Sequence, residues 1–264
     1  MPSDTAYLIF DTETVPDGEL VSLVKYPDEK LAACDAIDRA REEAKETSWN
    51  GSDFLPYTFH VPVALCVLRV NRDLSLEAYR CLDAPEYRPR EITRQFWRGL
   101  EHYGYPTLVT FNGRCFDIPL LELCAFRYGF PLRRHIEASR LRYKFGCDLQ
   151  EFFTNFGAAR FPGGLNVAAK LLGLPGKMSV QGKHVLEMHR AGRFQEINDY
   201  CLCDTLDTYF VFLRTRVMTE EITLSEEKTL TEKARACLME KADEQPVIAR
   251  YFEEWDRTKT KESS

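Results

Sequence analysis

The chain has 264 residues, of which 44% are hydrophobic and 29% charged, and its formal net charge is −6. This composition predicts a globular protein of one large or two small domains, and no apolar run approaches the ~20 residues of a membrane span. We expect a cytoplasmic protein, because the N-terminal residues do not resemble a signal peptide and the nine cysteines include no Cys-x-x-Cys pair.

The first predicted element is a strand that ends in two carboxylates. The apolar residues from Tyr7 to Phe10 are followed by Asp11 and Glu13, whose alternate positions place both side chains on one face of a strand. Two like charges this close are costly without a cation, so the pair indicates a divalent metal site for Mg²⁺ or Mn²⁺. A single Asp-x-Glu pair is more often a solvated strand end. The choice between this interpretation and a metal site therefore depends on motifs later in the sequence.

A charged insertion occupies about residues 19–57. Within it, residues 38–46 predict a solvated helix with charge pairs four residues apart. The segments Val61–Val70 and Leu74–Leu82 then predict a hairpin whose strands join the first one. A helix is predicted from Arg90 to Tyr103, where a glycine follows.

A second acidic signal follows a predicted strand at residues 107–111. It reads Asn112-Gly-Arg-Cys-Phe116-Asp117-Ile-Pro119, in which Asn-Gly supplies a turn and the proline fits the first turn of a helix. Asp117 stands at the start of that helix, where an acid is also favoured as a cap or by the helix dipole.

The central part of the chain carries its densest group of basic residues. Those assigned to contacts with a polyanion are Arg140, Arg142 and Lys144 among aromatic residues, and Lys177 and Lys183 in a glycine-rich loop. Ordinary solvated surface charge explains these residues equally well. Between the two groups, Asp148 is predicted to cap a short helix and is given no catalytic role.

A long helix is predicted over residues 196–214. Tyr200 and Asp204 lie one turn apart on it and share a face, although an ordinary boundary pair fits this spacing equally well. Beyond Met218 the chain is polar with helical patches, and we expect disorder from Thr258 to the end.

The three acidic signals together closely resemble the motifs of the DEDD 3′-to-5′ exonucleases. These motifs are Asp-x-Glu, then Asn-Gly-x-x-Phe-Asp-x-Pro, then Tyr-x-x-x-Asp. The alternative subgroup would place histidine at the position of Asp199, so the match favours the tyrosine subgroup. The stretches Phe111–Pro119 and Gly173–Lys177 resemble stand-alone exonucleases related to the proofreading domain of family B DNA polymerases, over about residues 6–216.

This resemblance implies an α/β fold of the ribonuclease-H-like type, with a mixed central sheet and helices on both faces. Residues 1–218 would form the exonuclease domain, and residues 219–264 a helical, polar extension. The implied activity is metal-dependent hydrolysis at the 3′ ends of single-stranded nucleic acid, DNA being favoured over RNA, with release of nucleoside 5′-monophosphates.

The resemblance also implies roles for the motif residues. Two divalent cations, Mg²⁺ or Mn²⁺, would share Asp11, with Glu13 and Asp204 completing one site and Asp117 holding the second ion through water. Tyr200 would orient the attacking water. Further contacts with the nucleic acid are assigned to Thr12, Asn112 and Phe116.

Two rival interpretations remain from the sequence. One is an inactive nucleic-acid-binding or scaffold protein with the same fold, which we disfavour because all four acids and the tyrosine are present. The other is an endonuclease of the same superfamily, which the tyrosine motif disfavours.

Overall fold

The structure is a computed structural model that describes residues 4–139, 146–178 and 182–262. Five strands form one mixed sheet in the order β3-β2-β1-β4-β5. They are β1 (Thr5–Pro16), β2 (His60–Asn71), β3 (Leu76–Cys81), β4 (Thr107–Thr110) and β5 (Gly146–Asp148). β1 is antiparallel to β2 and parallel to β4, while β3 and β5 extend the sheet at its two edges. The predicted mixed sheet is therefore confirmed.

Helices cover both faces of this sheet, as predicted. Their bounds are α1 (Gly18–Lys25), α2 (Ala33–Thr47), α3 (Pro89–His102), α4 (Asp117–Tyr128), α5 (Arg133–Ser139), α6 (Leu149–Phe153), α7 (Gly164–Lys170), α8 (Val185–Arg190), α9 (Phe194–Met218), α10 (Leu224–Met239) and α11 (Val247–Glu262). The helices α3 and α4 enclose one hydrophobic cluster with the sheet, and α9 with its neighbours encloses the other. No helix within the described ranges is long and apolar enough to cross a membrane.

The alternation of side chains along β1 decides which face receives the acidic residues. Leu8 and Phe10 belong to the cluster under α3 and α4, whereas Ile9 belongs to the cluster under α9. Asp11 and Glu13 continue the alternate series of Ile9, so they face α9.

The insertion differs from the single solvated helix predicted over residues 38–46. It contains two helices, α1 and α2, which enclose a small core of their own that includes Ala36 and Ala40. Gly18 is essential to this packing, because a Cβ atom there would lie 2.3 Å from the carbonyl oxygen of Ala33. The charge pairs were predicted correctly, since Arg39 and Glu43 form an ion pair of 3.3 Å on the outer face.

The C-terminal segment packs on the main body of the protein. α10 begins with a capping box between Thr223 and Glu226, and α11 buries Tyr251, Phe252 and Trp255 in the cluster that also contains α9. α11 continues to Glu262, whereas disorder was predicted from residue 258. The division of the chain at residue 218 stays a prediction.

Candidate active site

Three carboxylates from two distant parts of the chain meet above the central strand. The ligand atoms of Asp11 and Glu13 on β1 and of Asp204 on α9 all lie within 4.8 Å of one another, and the three residues are half-buried. We call these residues the carboxylate triad. The thiol of Cys201, one turn before Asp204, donates a hydrogen bond to the backbone carbonyl of Asp11 at 3.2 Å, which fixes α9 against β1.

Burial, with added repulsion between neighbouring acids, disfavours the ionised forms of the triad. Burial, followed by the charges of Asp117 and Asp204, raises the pKa of Asp11 well above its usual range. Burial also raises the pKa of Glu13, again with help from the neighbouring acids, and that of Asp204 to about 6. Carboxylate oxygens are the ligands that Mg²⁺ and Mn²⁺ prefer, and a divalent cation would relieve this repulsion, so the donor set fits such an ion.

Asp117 lies beside the triad without being part of it. It is the first residue of α4 and is only 6% exposed, and burial raises its pKa to about 7. Its charge raises the pKa of both Asp11 and Glu13. Phe116, and not Asp117, occupies the cap position of α4, and no side chain caps that helix end. The structure therefore does not support the alternative in which Asp117 caps this helix.

The loop between β4 and α4 is held in place by Asp148 from the neighbouring strand. The carboxylate of Asp148 accepts hydrogen bonds from the backbone N–H groups of Asn112 at 2.8 Å and Arg114 at 3.0 Å. It also caps α6, as predicted, by accepting from the N–H of Gln150. Asn112 adopts a positive φ of 66°, and its side-chain oxygen accepts from Gln150 at 2.9 Å. The sequence analysis missed this positioning role of Asp148, which depends on β5 pairing with β4.

Tyr200 lies where the helical spacing predicted, one turn from Asp204. It is 9% exposed, and its hydroxyl group lies close enough to the carboxylate of Asp204 to lower the pKa of that group. Burial raises the pKa of Tyr200 far above its usual value, with the charge of Asp204 as the next cause. The hydroxyl group is therefore protonated at neutral pH and acts as a hydrogen-bond donor.

Lys177 supplies positive charge to the triad. Its charge lowers the pKa of Asp11, Glu13 and Asp204 against the effect of burial. The loop reaches this place because Gly176, at a φ of +56°, lies against Asn166, whose side-chain oxygen accepts from the N–H of Lys177 at 2.9 Å. A Cβ atom at Gly176 would lie 2.6 Å from that oxygen.

The other residues assigned to nucleic acid are placed less directly. Thr12 lies on β1 between Asp11 and Glu13, so its side chain points to the opposite face, and it is 7% exposed. Its hydroxyl and backbone N–H groups lie close to the carboxylate of Asp117 and lower the pKa of that carboxyl group against the effect of burial. The remaining basic residues assigned to nucleic acid cannot be placed in the same way. Arg140, Arg142 and Lys144 lie outside the described residues, and the side chain of Lys183 is not among the described ones.

Three contacts from the C-terminal segment support α9 next to the triad. The hydroxyl group of Tyr251 on α11 donates to the buried carboxylate of Asp207 at 2.8 Å. Asp199, in turn, accepts from the side chains of Gln245 at 2.8 Å and Arg250 at 3.3 Å. The sequence analysis gave this segment no role, because the partners lie more than 40 residues apart.

The sheet order and the carboxylates on its central strand and on a late crossing helix define the class of the ribonuclease-H-like exonucleases. Within that class, residues 52–255 match the model of a family described as predicted 3′–5′ exonucleases related to the exonuclease domain of PolB, and the chain belongs to this family. A comparison with curated proteins returned no match.

The matched range differs at both ends from the range expected from the sequence. It begins after Asp11 and Glu13 and includes Asp117, Tyr200 and Asp204. It also continues through α10 and into α11, whereas the sequence analysis ended the resemblance near residue 216. That expectation was wrong, and the packing of both helices on the core agrees with the longer range.

Proposed function

We propose that the protein removes nucleotides from the 3′ ends of single-stranded nucleic acid, DNA being favoured over RNA, and releases nucleoside 5′-monophosphates. The observation that carries this proposal is the convergence of Asp11, Glu13 and Asp204 within 4.8 Å. The family of predicted 3′–5′ exonucleases supports the direction of cleavage.

Two divalent cations, Mg²⁺ or Mn²⁺, are the proposed cofactors. Asp11, Glu13 and Asp204 would hold one ion, and Asp11 with Asp117 the other, in the latter case largely through water. When bound, such ions generate a nucleophile from water at neutral pH and stabilise the charge on the leaving 3′ oxygen. The position of Asp117 outside the triad supports its more distant role.

Tyr200 is proposed to position the attacking water. Because its hydroxyl group is protonated and lies beside Asp204, it is suited to orient a water molecule and not to remove a proton from it. This role accounts for the tyrosine at a position where a phenylalanine would pack equally well.

The nucleic acid behind the scissile bond needs positive charge and stacking surfaces of its own. Lys177, whose charge reaches the triad, is proposed to contact a phosphate close to the scissile one. Contacts with the nucleic acid also stay proposals for seven further residues: Thr12, Asn112, Phe116, Arg140, Arg142, Lys144 and Lys183. A cytoplasmic location also stays a proposal, supported by the absence of disulfides among the nine cysteines, all of which are free.

One experiment tests the activity. DNA and RNA oligonucleotides with a 5′ label, single- or double-stranded, are incubated with the protein and Mg²⁺, Mn²⁺ or a chelator, and the products are sized. We expect a ladder that shortens from the 3′ end only when a divalent ion is present, and that Asp11→Asn does not produce. Internal cuts would favour the endonuclease, and intact oligonucleotides under all conditions would favour the inactive scaffold.

A further inference from the structure

Three aromatic rings from separate parts of the chain meet next to Asp117. Phe54 comes from the segment after α2, His60 begins β2, and Phe116 precedes α4. The centroid distances are 4.8 Å between Phe54 and His60, 5.6 Å between Phe54 and Phe116, and 6.0 Å between His60 and Phe116. We call these three rings the aromatic platform.

The platform includes the chain neighbour of one acidic residue and contacts the strand that carries two others. Phe116 is followed in the chain by Asp117. On the other side, Nδ1 of His60 lies 2.8 Å from the hydroxyl oxygen of Thr14, the residue after Glu13. The platform therefore lies next to Asp117 and to the end of β1 that follows Glu13.

Phe54 is exposed, yet the backbone on both sides of it is fixed. Its side chain is 58% exposed. Asp53 forms an ion pair with Arg41 of α2, and Leu55 is 3% exposed in the core between α1 and α2. A side chain that is held in position before binding loses little conformational entropy when a ligand covers it.

The platform offers aromatic surface and not charge. Burial lowers the pKa of His60 to about 4, so its ring is neutral at physiological pH. Exposed phenylalanines as such need no explanation, and Phe126 on α4 is 85% exposed. Phe54 differs from Phe126 in that its ring is packed against two others beside a carboxylate site.

We propose that Phe54, supported by Phe116 and His60, stacks an unpaired base of the strand whose 3′ end lies at the carboxylates, and so selects single strands over paired ends. The proposal rests on the proposed function and assigns the insertion a part in substrate choice. Stacking suits every base, because each has a π face, whereas the bases of a duplex are already stacked and paired.

The test measures binding in a chain that does not cleave. The affinity of the Asp11→Asn variant for oligo-dT is measured over a series of salt concentrations, with and without the additional substitution Phe54→Ala. We expect Phe54→Ala to weaken binding about tenfold without changing the slope against salt, because no phosphate contact is lost. Phe54→Trp should bind at least as tightly as the parent, and the matched control Phe126→Ala should bind like the parent.

A second arm separates stacking from a structural effect. The affinity of the same variants is also measured for an oligonucleotide whose last several nucleotides lack their bases. For this oligonucleotide, Phe54→Ala should have the same affinity as the parent. Equal losses on both strands, or an equal loss with Phe126→Ala, would overturn the proposal. Because binding is read without cleavage, a parent chain that cleaves nothing would overturn the proposed function alone.

Discussion

The thiol of Cys201 lies 3.2 Å from the backbone carbonyl oxygen of Asp11, and this contact sets the position of α9 on the central strand. Asp204 follows three residues later, so the same contact places its carboxylate beside those of Asp11 and Glu13. Both Cys201 and the facing Cys66 of β2 are fully buried, and small side chains here let the helix approach the strand closely. The carboxylate triad is thus assembled by the packing of α9 on the sheet.

The first prediction concerns the triad itself. Asp11→Asn, Glu13→Gln and Asp204→Asn should each lower metal-dependent hydrolysis by at least about 10³-fold, because each weakens a site that supplies several kcal/mol of charge stabilisation. Each should also raise the melting temperature of the metal-free protein, since a repulsive charge is removed. Exposed Asp28→Asn is the control and should change neither quantity; a triad variant with parental activity would exclude that residue from the site.

The second prediction follows from the raised pKa values of the triad. A carboxyl group whose pKa is higher in the folded than in the unfolded protein binds more protons when folded, so its contribution to stability falls as pH rises. For Asp204, with a pKa of about 6, this loss falls between about pH 4 and pH 6. Metal binding requires the ionised groups, so the rise in melting temperature caused by Mn²⁺ should be small at pH 5 and large at pH 8. Thermal unfolding over this range, with Asp204→Asn for comparison, would reveal the trend, and a pH-independent effect of the metal would contradict it.

The third prediction isolates the hydroxyl group of Tyr200. Tyr200→Phe keeps the buried ring and removes the hydroxyl group beside Asp204, so turnover should fall by about 10²-fold while Mn²⁺ affinity changes little. Single-turnover cleavage and calorimetric titration of Mn²⁺ would measure the two quantities. Full activity across the pH range would make the tyrosine a packing residue only.

The acidic motifs could be identified from sequence because their chemistry is carried by local spacing. The alternation at Asp11 and Glu13 and the helical spacing of Tyr200 and Asp204 placed each pair correctly on its own element. The hairpin of β2 and β3 and the helix α3 were likewise predicted from periodicity and turn residues.

Contacts between distant elements could not be obtained in this way. The hydrogen bond from the backbone N–H of Asn112 to the carboxylate of Asp148 depends on β5 lying beside β4. Nothing in the sequence around either residue indicates that the two are in contact. The two C-terminal helices were missed as core elements because their apolar stripes are narrow and most of their residues are polar. Likewise, a role for the exposed ring of Phe54 could not be predicted from sequence, because it depends on the contact of this ring with Phe116.

The fourth prediction tests the contact of Lys177 with the substrate. Lys177→Ala in the Asp11→Asn chain should weaken single-strand binding and reduce the slope of log affinity against log salt by roughly 0.7, the value for one phosphate contact. Lys228→Ala, which removes an exposed lysine of α10, is the matched control and should leave the slope unchanged. An unchanged slope with Lys177→Ala would mean that this lysine serves only the charge balance of the triad.

The last prediction concerns the link between α11 and α9. Asp207 is 1% exposed, and burial, followed by the charge of Asp204, raises its pKa well above its usual range. One of its oxygens accepts a hydrogen bond from the hydroxyl group of Tyr251. Tyr251→Phe should therefore cost about 1–3 kcal/mol of unfolding free energy, because a buried acceptor loses its donor.

Asp207→Asn should act in the opposite direction with a distinct pH dependence. The folded protein holds the proton on Asp207 after the unfolded chain has released it, so the wild-type residue lowers stability increasingly as pH rises above about 4. Asp207→Asn removes this cost, and its advantage over the parent should grow from pH 4 to pH 8 in urea unfolding. A double-mutant cycle with Tyr251→Phe then gives the coupling between the two side chains. A coupling near zero would mean that α11 is held by its apolar residues alone, and equal stability of the Asp207→Asn variant and the parent at every pH would mean that Asp207 titrates as a solvated acid.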